Sequence, residues 1–149
     1  MFVSIELHTG DNPMRQHARR NTEIPLRYYG YGMHGHKMGQ LRNVSLSGLS
    51  FKSHYPFQSG MKLIVHVPYI NPLFKASASV IWCHHSDSFY EVGIKFHDDN
   101  NVDTPKIMFE QICLIENYRT DVRKNEDRAI SSEQAAREWL SLLGNDILC

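Results

Sequence analysis

Hydrophobic and polar residues alternate in short runs along the first two thirds of the chain. Between residues 24 and 96, these runs are separated by Gly, Pro, Asn and Asp, which favour turns. Long helical patterns do not separate the runs, which argues against a parallel β–α–β sheet. The pattern therefore predicts short antiparallel strands in a barrel or sandwich, within the segments IPLRYYGYG, QLRNVSLSGLSFKS, KLIVHVPYI, ASASVIWCHH and YEVGIKF.

The hydrophobic period lengthens in the last third of the chain and predicts two helices. Pro105 suits a first helical turn, and apolar residues then recur at three- and four-residue spacing. Ser131 and Gln134 form an S-x-x-Q capping box before a second apolar stripe, and Gly144 is predicted to end that helix. The apolar positions of the two helices are Met108, Ile112, Ile115, Tyr118 and Val122, then Ala135, Trp139 and Leu142.

The stretch NVSLSGLSF, residues 43–51, alternates as a strand does but changes parity at Gly48. Val44 is apolar at an even position, whereas Leu49 and Phe51 are apolar at odd positions. A residue without Cβ lets a strand form a bulge or lets another backbone approach closely. Taken alone, the stretch predicts a single strand that is bulged at Gly48.

Composition and charge fit one globular domain. The chain has 149 residues, of which 42% are hydrophobic and 21% charged, and its 16 basic residues balance 16 acidic ones. That balance does not predict a nucleic-acid polymer or a membrane as partner. Residues 1–42, however, carry six basic residues against three acidic ones, which fits either a local anion site or a solvated face.

Catalytic and metal sites are not predicted. The three cysteines include no C-x-x-C pair, and no apolar run approaches 18 residues, so we expect a reduced, cytoplasmic protein without membrane insertion. The nine histidines do not reproduce the ligand spacing of a closed metal site. No serine lies in G-x-S-x-G, so a hydrolase is not expected.

Two arginines, Arg15 and Arg19, lie four residues apart ahead of the first predicted strand. Planar guanidinium groups suit phosphate oxygens and the O6/N7 edge of guanine, which both accept paired hydrogen bonds. By itself this spacing is weak evidence for a binding site, because arginine pairs at this spacing are usually solvated surface charges.

The R-x-x-x-R pair followed by N-x-S-x-x-G at Asn43, Ser45 and Gly48 resembles the signature of the PilZ domain, the bacterial receptor module for cyclic di-GMP. The segments ASVIWC and YEVGIKF resemble its later strands, and the C-terminal region resembles the helical extension of stand-alone members. The resemblance covers roughly residues 15–143.

The resemblance implies a mainly β fold, a six-stranded antiparallel β-barrel followed by C-terminal α-helices. Residues 1–23 would form a mobile N-terminal segment, residues 24–100 the barrel, and residues 101–149 a helical extension packed on it. It implies a non-catalytic receptor that binds cyclic di-GMP, has no cofactor, changes conformation and signals to an unidentified partner protein. The implied ligand residues are Arg15, Arg19, Asn43, Ser45 and Gly48, with Arg20, Trp82 and Gly93 as further candidates.

Some alternatives stay open. A second motif frame would begin at Arg19 and place Glu23 against an anionic ligand, and Gly93 is either a packing glycine or one that clears room for a base. A ligand-independent interaction adaptor is the alternative function, and an RNA-binding barrel would need more basic residues among exposed aromatics.

Met14 precedes the motif where members that capture a ligand pair often have arginine, so one ligand per chain is expected. A monomer is favoured.

Overall fold

The computed structural model describes residues 19–30, 32–70, 74–98 and 103–148, with side chains up to residue 143. It contains seven strands and two helices in these ranges. The strands are β1 (Arg20–Asn21), β2 (Pro25–Gly30), β3 (Lys37–Val44), β4 (Gly48–Ser53), β5 (Lys62–Val67), β6 (Phe74–Ser86) and β7 (Phe89–Phe96). The helices are α1 (Asp103–Glu126) and α2 (Ser132–Leu148).

Six of the strands close into an antiparallel barrel. The order along the sheet is β3-β2-β5-β6-β7-β4, and a further pairing of β3 with β4 joins the two ends. The two-residue strand β1 pairs with the end of β3, at Asn43 and Val44. The predicted six-stranded barrel with C-terminal helices is therefore confirmed, whereas the domain bounds stay a prediction.

The stretch around Gly48 is a hairpin, so the prediction of one bulged strand was wrong. β3 ends at Val44 and β4 begins at Gly48, and the three residues between them reverse the chain. The register pairs Val44 with Leu49, which brings both side chains into the core. The change of parity at Gly48 is therefore the result of a turn, and the register shift lies between Leu41 and Asn43 instead.

Alternate residues of the strands fill the barrel with apolar side chains. An aromatic cluster forms part of this core, where the ring of Tyr28 is 4.9 Å from Phe51 and 5.5 Å from Phe57 between centroids. The phenol oxygen of Tyr28 is 2.7 Å from Ser53 Oγ, which satisfies both groups in the core. Burial raises the pKa of Tyr28 above its usual value.

Helix α1 packs on the barrel with most of the face that the apolar spacing predicts, whereas on α2 Ala135 is buried but Leu142 is 46% exposed, so the prediction for Leu142 was wrong. Met108, Ile112, Ile115 and Val122 of α1 are buried. Helix α1 is therefore held mainly by its apolar stripe, as expected for an amphipathic helix on a core.

The ends of α2 differ in part from the prediction. Ser131 Oγ accepts a hydrogen bond from Gln134 N at 3.0 Å, so the predicted cap is present, and the Gln134 side-chain amide donates to Glu138 Oε2. The helix continues to Leu148, so the prediction that Gly144 ends it was wrong. Glycine costs only about 1 kcal/mol in a helix interior, and this does not stop a helix whose following residues continue it.

Polar contacts join the two helices to each other and to the barrel. Glu138 accepts hydrogen bonds from Arg128 at 3.0 Å and from Tyr118 at 2.6 Å, and these donors lower the pKa of its carboxyl to about 2. On the barrel side, Tyr69 donates to Glu133 Oε2 at 2.7 Å. In the part of the chain described, neither helix is long and apolar enough to cross a membrane.

Replacement of Ile112 by alanine should destabilise the protein through loss of helix packing. Ile112 is 0% exposed, so Ile112→Ala leaves a cavity between α1 and the barrel and should lower the free energy of unfolding by about 2–5 kcal/mol. Leu114→Ala is the matched control, because Leu114 is 43% exposed on the same helix and should change stability by less than about 0.5 kcal/mol. Urea denaturation measures both, and equal stabilities of the two variants would contradict the packing described.

Candidate functional site

A cleft of about 320 Å³ lies where the turn between β3 and β4 approaches β6 and β7. We call it the outer cleft. Its described lining combines one arginine, several small polar residues and one tryptophan. The lining residues are Arg19, Asn43, Val44, Ser45, Ser47, Gly48, Leu49, Ser50, Ile81, Trp82, Gly93 and Ile94.

Strand register places four of these residues in one row across the barrel wall. Trp82 of β6 pairs with Gly93 of β7, Gly93 pairs with Ser50 of β4, and Ser50 pairs with Asn43 of β3. Residues that are directly opposite in neighbouring strands present their side chains on the same face of the sheet. Residues that are far apart in sequence therefore meet at one cleft because of the register alone.

Ser45 organises the turn at the edge of the cleft. Its hydroxyl accepts hydrogen bonds from the backbone N–H groups of Ser47 and Gly48, both at 3.3 Å, and lies 3.2 Å from the carbonyl oxygen of Gly48. Its own N–H donates to the same carbonyl at 2.9 Å. Ser45 therefore fixes the turn in this structure, in the way that serine side chains stabilise turns elsewhere.

Gly48 and Gly93 are required by close packing. A Cβ at Gly48 would collide with the carbonyl oxygen of Ile94 on β7, so only glycine allows the two backbones to approach. A Cβ at Gly93 would overlap the indole ring of Trp82. Gly93 therefore packs against Trp82 in this structure, and its role in clearing room for a base stays a prediction.

Trp82 lies well inside β6 rather than at the end of a strand, because β6 extends from Phe74 to Ser86. Its indole lies against Gly93 and makes an edge contact with His84, with ring centroids 4.9 Å apart. The side chain is half-buried, so it forms one wall of the outer cleft while part of it stays accessible.

Two buried polar atoms of the row have no hydrogen-bond partner among the residues that the structure describes. They are Oδ1 of Asn43 and Oγ of Ser50. A buried polar group without a partner costs about 1–3 kcal/mol, and native structures rarely retain one without a reason. Among the described residues, these two atoms of the outer-cleft wall are therefore unsatisfied.

The predicted arginines are separated by the structure. Arg19 lines the outer cleft, whereas Arg20 Nη2 donates to Asn117 Oδ1 of α1 at 3.1 Å and does not line it. Neighbouring residues of an extended chain point to opposite sides, which explains the difference. Arg15 lies outside the described residues. Glu23, which the alternative frame would place against the ligand, does not line the cleft either.

Ser47 and Ser50 line the outer cleft but were not predicted as site residues. A signal for Ser50 exists in the sequence, since it stands between the apolar residues Leu49 and Phe51. In a strand, that alternation places Ser50 on the outer face, where Asn43 also lies. This signal holds only if Gly48 begins a new strand, whereas the sequence pattern predicted one bulged strand.

A second groove on the described surface is lined by different residues. Its volume is about 490 Å³, and it runs over β2, β5 and β6 beside Tyr29, Leu63 and Ile64. None of the predicted ligand residues lines it. Within the described ranges, no group of three His, Cys, Asp or Glu side chains is placed to hold a metal ion. The outer cleft is therefore the candidate site.

Comparison with known families agrees with this fold. The PilZ domain family model matches residues 13–113, more than half of the 149 residues. The chain belongs to the PilZ domain family. No curated protein sequence matches the chain.

Several solved structures share the fold. The PilZ domain of YcgR from Escherichia coli, solved with c-di-GMP, has a TM-score of 0.55 at 14% identity, covering 76% of this chain and 97% of that one. The MrkH–c-di-GMP complex of K. pneumonia gives 0.54 at 11%, covering 74% of this chain and 55% of that one. The Bacillus subtilis inhibitor of motility (MotI/DgrA) gives 0.52 at 16%, covering 70% and 52%. This chain thus spans about half of the MrkH and MotI chains, and at these identities the similarity shows the fold.

A methyl group at Gly93 should displace the indole of Trp82. In a Trp139→Phe background, which leaves Trp82 as the only tryptophan, Gly93→Ala should shift the fluorescence emission to longer wavelength, because the ring must move away from the sheet. Lys95→Ala in the same background is the control, since Lys95 is exposed on the same strand. The tryptophan emission of this variant should not change. An unchanged spectrum for Gly93→Ala would show that the indole does not lie on Gly93.

Proposed function

We propose that this chain is a non-catalytic receptor that binds cyclic di-GMP in the outer cleft and signals its occupancy to a partner protein. The observation that carries the proposal is the row of Asn43, Ser50, Gly93 and Trp82 beside Arg19, in a chain that belongs to the PilZ family. Two structures of the same fold, from YcgR and MrkH, contain c-di-GMP. We also propose that the protein is cytoplasmic, as its cysteine content and lack of long apolar runs predict.

The donors and acceptors of the cleft complement a guanine nucleotide. Guanine presents N1–H and N2–H donors, and Asn43 Oδ1 is an acceptor without a partner among the described residues. This oxygen is covered in the structure, so binding requires the amide to turn toward the cleft. The guanidinium of Arg19 suits a phosphate or the O6/N7 edge, and Arg15 would supply a second one.

The remaining predicted residues would shape the site. Trp82 would stack on a base, an interaction worth about 1–3 kcal/mol per base. Gly48 and Ser45 would hold the turn that presents Asn43, and Gly93 would seat the indole. Arg20 would act outside the cleft, through its bond to Asn117.

The chemistry of the lining supports binding rather than catalysis. The described lining residues include no histidine and no carboxylate that could serve as a general base next to the cleft serines. A ligand-independent interaction adaptor remains the second candidate function. The unpartnered Asn43 and Ser50 atoms favour the receptor, because an adaptor would gain nothing from the cost of leaving them unpaired.

Removal of either motif arginine should weaken binding strongly. Arg15→Ala and Arg19→Ala should each cost about 2–5 kcal/mol of cyclic di-GMP affinity, because charge-assisted bonds to the ligand are lost. Calorimetric titration measures the loss, with GTP and cyclic GMP as ligand controls. Arg20→Ala is the matched variant and should cost less, since Arg20 bonds Asn117 outside the cleft. Wild-type protein that does not bind at micromolar ligand would favour the adaptor, and unimpaired binding by Arg19→Ala would refute its assigned role.

The stoichiometry should be one ligand per chain. Met14, which lies outside the described residues, provides no guanidinium for a second guanine, and Arg20 is directed to α1. Calorimetry of the wild type should therefore saturate at one ligand, and Met14→Arg should raise the ratio toward two. Saturation of the wild type at two ligands would contradict this assignment.

A further inference from the structure

A buried carboxylate joins the helices to the chain segment that follows Arg19. Glu116 of α1 is 5% exposed, and its Oε2 accepts hydrogen bonds from Thr22 Oγ1 and from Ser132 Oγ, both at 2.7 Å. Arg119 Nη1 lies 3.4 Å from the other carboxylate oxygen. Thr22 and Ser132 are 3% and 0% exposed, so both hydroxyl bonds are shielded from water.

Backbone and side-chain bonds extend this contact to α2. Ser132 Oγ also accepts a bond from the N–H of Glu23 at 3.1 Å and lies 3.3 Å from Arg119 Nη1. Arg119 Nε donates to the carbonyl oxygen of Ile130, in the connection between the helices, at 2.7 Å. One polar network therefore holds residues 22–23 against both helices.

The opposite side of the same segment is bonded to the strand that carries the candidate site. Arg20 pairs with Val44 and Asn21 pairs with Asn43, and the N–H of Thr22 donates to the carbonyl oxygen of Arg42 at 3.1 Å. Residues 20–23, which we call the arm, thus lie between β3 and the helices. Arg19 stands directly before the arm and lines the outer cleft.

We propose that Glu116, acting through the hydroxyl of Thr22, is a positioning residue for the ligand site. It holds the arm in register on β3 and so fixes where the backbone delivers Arg19 to the outer cleft. This inference rests on the proposed function for its ligand. It assigns the helices a role beyond packing, because their charged group sets the position of the arginine.

The bond between Thr22 and Glu116 should be strong, and its effect on ligand binding should act in both directions. A hydrogen bond to an ionised group is stronger than one between neutral groups, and a buried carboxylate that loses a donor has no water to replace it. The contact between the arm and the helices strengthens ligand binding by some factor. By thermodynamic linkage, a ligand that orders Arg19 then stabilises that contact by the same factor. Occupancy of the cleft therefore reaches the helices through Thr22 and Glu116.

The test replaces Thr22 by an isosteric residue without a hydroxyl. Thr22→Val should weaken cyclic di-GMP binding about tenfold in calorimetry and should speed amide hydrogen exchange at residues 20–24. Thr22→Ser restores the hydroxyl and should restore both affinity and protection. Thermal unfolding of each variant establishes that the titrated protein is folded.

Tyr69→Phe is the matched control for a general effect of helix docking. It removes the bond of 2.7 Å from Tyr69 to Glu133, which ties α2 to the barrel away from the arm. The control should retain wild-type affinity and wild-type exchange at residues 20–24. An equal loss of affinity in Tyr69→Phe and Thr22→Val would overturn the proposal, because docking in general would then be responsible.

The positioning role of Glu116 and the receptor function can be tested separately. If the wild type and Thr22→Val bind the ligand equally well, the positioning role alone is overturned. Wild-type protein that does not bind would overturn the receptor proposal, and the positioning role would then be judged by exchange in the free protein. Equal protection of residues 20–24 in the wild type and Thr22→Val would overturn it there.

Discussion

The pairing of β3 with β4 across the turn at residues 45–47 is the constraint on which the rest of the structure depends. This pairing closes the barrel, and it also brings Asn43 beside Ser50. It requires the Ser45 hydroxyl to satisfy the turn backbone and requires glycine at 48, where the Ile94 carbonyl leaves no room for a Cβ. The same local chemistry therefore determines the closure of the fold and the geometry of the outer cleft.

The outer cleft combines a wall of paired strands with polar groups that the described residues leave unsatisfied. The wall consists of paired strands, and the indole of Trp82 is seated on Gly93 by the absence of a side chain there. Asn43 Oδ1 and Ser50 Oγ lie in this wall without partners among the described residues. Sites that must bind polar ligands commonly retain such destabilising groups, because a rigid barrel tolerates a cost of a few kcal/mol.

The helices contribute to the candidate site from behind the arm. Apolar residues such as Ile112 attach α1 to the core, while Glu116 bonds Thr22 across 94 positions of sequence. The arm is consequently bonded on both sides, to β3 and to the helical pair. In this arrangement, one short segment of chain connects the cleft arginine to the helices.

The sequence by itself determined the short antiparallel strands, the buried stripe of α1 and the family motif, because alternation, helical spacing and short motifs are local patterns. Alternation left a barrel and a sandwich open, and the resemblance to the family indicated the barrel. Only the tertiary structure decided that residues 43–51 form a hairpin, since a turn and a bulge produce the same change of parity. It also decided that α2 passes Gly144, that Ser50 joins the cleft, and that Arg20 faces α1. These outcomes depend on strand register and on contacts between distant residues, such as Thr22 with Glu116, for which no local pattern exists.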